Sequence, residues 1–119
     1  MAKIKSYTDL QQSKKLAEIL PIESADMSWA SNGLGKPFAR TIPIKGDPEE
    51  LCACWSLAAL LSVLPKTINF GYENDSIFVL KPLKNGKYLA NYYEVSFVKD
   101  NPVDACVAMV EKLHELNLL

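Results

Sequence analysis

Between Asp47 and Pro65 the chain reads DPEELCACWSLAALLSVLP, and from Leu51 to Leu64 it carries about fourteen residues without a charge. No other stretch constrains the fold as strongly. Asp47 has the side chain of an N-cap, and Pro48 suits a first helical position, where a missing N–H costs nothing. Glu50 three residues on completes a capping-box pattern, and Pro65 ends the segment because its ring cannot follow a helical turn. The spacing therefore predicts a central helix over 47–65, with Leu51, Trp55, Ala58, Leu61 and Leu64 on one face. Leu57, Leu60 and Val63 widen the apolar surface until little of the helix is polar, so such a helix has to be covered on most sides. Trp55 is expected at the junction of the helices. At about fourteen residues the run falls short of the roughly twenty that span a bilayer, which argues for a core element and against a membrane segment.

The rest of the composition is that of one ordinary domain. The 119 residues suffice for a single core, expected over 1–119. A net charge of −1 and a single arginine, Arg40, give no field or bidentate grip for nucleic acid. The N-terminal MAKIKSY lacks the long apolar stretch of a signal peptide, so a cytoplasmic location is expected. Three cysteines are an odd count and do not form a disulfide framework.

Ahead of the central run, a first helix is predicted from about Thr8 to Ile19, with Thr8 and Gln11 as capping box. Residues 23–37, rich in Ser, Asn and Gly, read as an irregular loop. Residues 39–45 read as a short strand that Pro43 confines to an edge. After Pro65, strands are predicted over 67–73, 76–83 and 87–98, the last two joined at Asn85-Gly86, a strong hairpin signal. In the third strand Leu89, Tyr93, Val95 and Phe97 alternate with Tyr88, Tyr92, Glu94 and Ser96, which predicts one covered face and one wetter, tyrosine-bearing face. The closing helix is the clearest periodic segment. Asn101 caps it, Pro102 opens it, and Val103, Cys106, Val107, Val110, Leu113 and Leu116 recur on one face. The expected fold is α+β in the order α-β-α-β-β-β-α, with three helices on one side of a three- to four-stranded antiparallel sheet.

Chemistry-bearing patterns are few. If 47–65 is helical, Cys52 and Cys54 point about 200° apart and cannot share an ion. Cys106 and His114 are separated by roughly 12 Å of helical rise, too far for joint ligation or a nucleophile–base pair. No metal, cofactor or catalytic residue is therefore expected, and the protein reads as non-enzymatic. The stretch Ser31-Asn32-Gly33-Leu34-Gly35-Lys36 lacks the full phosphate-loop pattern. Trp29 beside it either folds back on the core or anchors an interface. Residues expected to touch a partner are Trp29, Leu34, Lys36, Phe38, Arg40, Tyr88 and Tyr92. The first expectation is a protein-interaction module. A second is a pocket beneath the 26–40 loop for an anionic metabolite or nucleotide, with Asp26, Lys36 and Arg40 as its polar contacts. A third is self-association into a homo-oligomer.

Three blocks, QSKKLAEILPIESADMSW at 12–29, CWSLAALLSVLP at 54–65 and NPVDACVAMVEKLHELNLL at 101–119, together resemble a family of small uncharacterised proteins encoded in gut-anaerobe genomes and their prophages and mobile elements. The resemblance implies a phage or mobile-element accessory protein acting on a host protein. It carries no activity and no site residue.

Overall fold

The N-terminal segment leads into α1, Leu10–Ala17, which starts where Asp9 caps it. Asp9 accepts from the Gln12 N–H at 2.8 Å, and the Gln12 side chain accepts from the Asp9 N–H at 3.1 Å. The capping box therefore sits one residue beyond the predicted Thr8–Gln11 pair. Thr8 is buried instead, with its hydroxyl shared between Ser13 and the Trp55 N–H. The computed structural model describes residues 5–31, 33, 35–41, 50–71 and 74–119. Leu34, Pro43 and the predicted cap Asp47-Pro48 lie outside the described residues.

A short 3-10 turn, Ile22–Ser24, and strand β1, Met27–Ala30, occupy what was expected to be an irregular loop. β1 is the centre of a three-stranded antiparallel sheet between β2, Phe38–Arg40, and β3, Glu50–Cys54. β3 is the main correction to the sequence reading. Residues 50–54 are extended, and helix α2 covers only Leu57–Val63. Ser56 is its N-cap, accepting from the Ala59 N–H at 3.1 Å, while Asp26 accepts from both the Ser56 N–H and the Ser56 hydroxyl. An uncharged run has no periodicity to separate a buried strand from a buried helix, and pairing with β1 decides. The expected helical face dissolves accordingly: Trp55, Leu60 and Leu64 are buried, whereas Leu51 and Leu61 are exposed.

Beyond Pro65 the single expected sheet is two. β4, Thr67–Ile68, pairs with β5, Ser76–Ile77. β6, Val79–Pro82, β7, Tyr88–Tyr92, and β8, Val95–Lys99, form an antiparallel meander. The Asn85-Gly86 signal marks the β6–β7 connection, but only Gly86 has positive φ, at 82°. The Gly86 N–H reaches the Leu83 carbonyl at 3.1 Å, and Leu83 N–H reaches the Lys87 carbonyl at 2.7 Å. This is a three-residue loop ending in a left-handed glycine, the next most common hairpin type after two-residue turns.

Residues 87–98 are two strands, with Tyr93 turning at φ 43°. The Asn91 side chain holds that turn by donating to the Tyr93 carbonyl at 3.1 Å. Because Tyr92 stands opposite Val95, the inward set changes from even to odd numbers across the turn. Tyr88, Ala90 and Tyr92 therefore share a face with Val95, Phe97 and Lys99, and Leu89 lies on the other side. The tyrosine-bearing face is the covered one: Ala90 and Tyr92 are fully buried beneath α3.

Helix α3, Pro102–Glu115, starts as expected, with Asn101 accepting from the Asp104 N–H at 2.8 Å. Val103, Cys106, Val107, Val110 and Leu113 are buried, joined by Ala105 and Met109. Leu116, expected on that face, is exposed because the helix has already ended. Asn117 turns left-handed at φ 58°, its N–H bonds to the His114 carbonyl, and the Leu118 N–H bonds to the Leu113 carbonyl at 2.8 Å. These two bonds make a Schellman cap. The result is an α+β fold whose core joins Leu16 and Leu20 of the first helical segment, Trp55, Leu60 and Leu64, Tyr92, and the inner face of α3. Among the described residues no helix is long and apolar enough to cross a membrane.

Candidate interaction surfaces

The side chains expected to meet a partner do not converge. Trp29 is half-buried in the middle of β1, where its indole N–H donates to the Thr8 carbonyl at 3.1 Å and its ring meets Tyr7 edge-on at 6.0 Å. These contacts hold it against the N-terminal segment while part of the ring stays at the surface. Tyr92 is buried, its ring against Phe78 at 5.0 Å and its hydroxyl donating to the Pro65 carbonyl, so it has no surface for a partner. Tyr88 is half-buried at the far end of the same covered face. Phe38 and Lys36 are exposed. Arg40, on edge strand β2, donates from Nε to the Ser28 hydroxyl at 3.0 Å. Asp26 is occupied by Ser56. The three polar groups assigned to an anion pocket are thus spread over a cap, an exposed turn and a strand.

The cysteines require a second correction. In a strand, residues two apart share a face, so Cys52 and Cys54 do point the same way. Cys54 is fully buried, and its sulfur lies 3.5 Å from the Thr8 carbonyl oxygen. Burial pushes the Cys54 thiol up, against the pull of its hydrogen bonds to Thr8 and Ser13. Burial also pushes the Cys106 thiol up to about 12. Thiols held protonated in this way are poor nucleophiles and poor metal ligands. The described residues contain no group of three or more His, Cys, Asp or Glu side chains placed to hold a metal ion.

A polar cluster that the sequence did not announce ties the N-terminal segment to α3. The Lys5 ammonium lies 2.9 Å from Asp104 and 3.1 Å from Asp9, and Gln12 donates to Asp104 at 2.8 Å. Burial opposes both charges, but the contacts prevail: Lys5 is raised and Asp104 is lowered from their ordinary values. Every member is satisfied by its neighbours, so the cluster reads as a clasp between elements.

Two hollows remain. One, of about 570 Å³, lies among the C-terminal ends of the three helices, lined by Ile19, Leu20, Pro21 and Val63 together with His114 and Leu119. Ile22, Leu61 and Leu116, each next in sequence or close to that lining, are exposed by 67%, 40% and 41%. The other, of about 460 Å³, lies between β8 and α3 and is lined by Phe97, Lys99, Ala108, Glu111, Lys112 and Glu115. The first was invisible in sequence because it is assembled from three helix ends. The one available signal was the surplus of leucine after the last periodic position of α3. No family model, curated protein or solved structure matches the chain.

Proposed function

We propose that the protein is a non-enzymatic protein-interaction module, and that it takes a short apolar segment of a partner protein into the groove among its helix ends. The observation carrying this reading is a hollow of about 570 Å³ lined by Ile19, Leu20, Pro21, Val63 and Leu119 together with Glu23, Ser24, Ser62 and His114, with exposed Ile22, Leu61 and Leu116 close to that lining in sequence. Large apolar side chains left exposed beside a hollow favour an interaction site. Glu23 is on the lining, and Glu18 adjoins it in sequence. These acidic groups favour a partner segment with lysine or arginine beside its apolar residues. The resemblance of the 12–29, 54–65 and 101–119 blocks extends the reading to a phage or mobile-element accessory role on a host protein. Those blocks include every residue that lines the groove.

Selection of a displayed random-peptide library tests the reading, with the parent chain and a Leu119→Asp variant as baits. Leu119 is exposed by 42% and lines the groove, so the variant keeps its fold. Apolar peptides with basic flanks, recovered by the parent and lost with the variant, are expected. Peptides without that pattern, or equally retained by the variant, refute the groove.

A further inference from the structure

The meander β6-β7-β8 has two edges, and they are built differently. At the β6 edge, Lys81 and Pro82 stand in a strand of four residues. Proline has no N–H to offer, and lysine resists a neighbouring chain, so this edge is closed to further pairing. The β8 edge, Val95-Ser96-Phe97-Val98-Lys99, has no proline and places its one charge last. Among the described residues β7 is its only strand neighbour. Tyr92 and Val95 flank a two-residue turn and direct their backbone groups at each other, so the alternation leaves the N–H and C=O of Ser96 and Val98 facing outward. Val98 is 47% exposed.

We propose that a second copy of this chain pairs antiparallel along β8, joining two meanders into one six-stranded sheet about a two-fold axis at Phe97. In that register Ser96 stands opposite the second copy's Val98 and exchanges both outward hydrogen bonds with it, and the reciprocal pair does the same. Phe97 meets the second copy's Phe97 in the closer, non-hydrogen-bonded pairing on the covered face. The hollow of about 460 Å³ between β8 and α3 lies under this contact and has room for the opposing ring. Its walls hold Lys99 and Lys112 together with Glu111 and Glu115. Two lysines and two glutamates cancel, Lys112 pairing with Glu115 at 3.4 Å within one copy and leaving Lys99 and Glu111 as one charge of each sign. A self-complementary edge above a charge-balanced hollow fits a second copy better than a partner of strong single-sign charge. This contact uses none of the groove among the helix ends, so either surface can fail without the other.

Sedimentation equilibrium of the full chain over a wide concentration range reads the proposal. The parent is expected to reach twice the monomer mass. Val98→Pro removes one outward N–H per copy and no bond within the chain, and should weaken the dimer on the order of tenfold to a hundredfold. Val98→Lys, at an exposed position, provides the same reading if the proline variant fails to fold by circular dichroism. A parent that stays monomeric throughout overturns the proposal. So does a dimer whose dissociation constant is unchanged in a folded Val98 variant.

Discussion

The indole N–H of Trp55 donates to the Ser24 hydroxyl at 2.9 Å, and the hydroxyl in turn donates to the Pro21 carbonyl at 2.6 Å. A fully buried tryptophan thereby fixes the 3-10 turn that borders the helix-end groove. Trp55→Ala should cost about 3–5 kcal/mol, the range for emptying a buried aromatic site. Ser24→Ala should cost about 1–3 kcal/mol by leaving the indole N–H without its acceptor. Urea unfolding of both variants checks the order. Equal losses in the two would mean that the hydrogen bond, and not the ring volume, dominates.

The Lys5–Asp104 contact predicts a pH dependence at both ends of the scale. Asp104 has a lowered pKa when folded, so its contribution is complete above the unfolded carboxylate value. It is lost as the pH falls below about 4. Lys5 is raised when folded, so its contribution is present below the unfolded lysine value and lost as the pH rises beyond about 10. Both side chains are partly exposed, which limits the pair to about 1 kcal/mol. A double-mutant cycle of Lys5→Met and Asp104→Asn, measured at pH 7 and pH 3, should show this coupling in full at the first pH and reduced at the second.

Tyr92 should ionise only above the ordinary tyrosine range. Burial raises its phenol, and its hydroxyl already donates to the Pro65 carbonyl. Above about pH 10 the unfolded chain loses this proton more readily than the folded one, so stability declines there. Tyr92→Phe should cost about 1 kcal/mol at neutral pH and lessen the alkaline decline. Spectrophotometric titration against denaturant resolves both.

Thiol labelling should distinguish Cys52 from its neighbours. Cys52 is half-buried, and Cys54 and Cys106 are fully buried with raised pKa values. In the native protein Cys52 should react alone with an aromatic disulfide reagent, and all three should react in guanidinium. Fast native labelling of two or more thiols would contradict the burial of β3 and α3.

Exposed apolar positions around the groove should be silent in stability. Ile22→Lys removes a side chain that is 67% exposed and should shift unfolding by no more than about 0.5 kcal/mol. Thermal denaturation is the check. A larger loss would make Ile22 part of the fold, not of a binding surface.

Local chemistry determined much of this protein without help. Asn101-Pro102 opens α3, Pro65 closes the segment before it, Gly86 permits the β6–β7 loop, and an uncharged run containing Trp55 is buried at the tryptophan. Each of these depends on neighbours within a turn or two, and such interactions are written in the order of the residues. Only tertiary structure decided that 50–54 is a strand, that Tyr92 faces inward, and that the helix ends enclose a hollow. Leu51-Cys52-Ala53-Cys54 has no periodicity of its own and takes its conformation from β1, more than twenty residues earlier. Tyr93-Glu94 has neither glycine nor proline to announce a turn, yet that turn exchanges the inward and outward sides of the following strand. Backbone groups must find partners, and for these segments the partners come from distant parts of the chain.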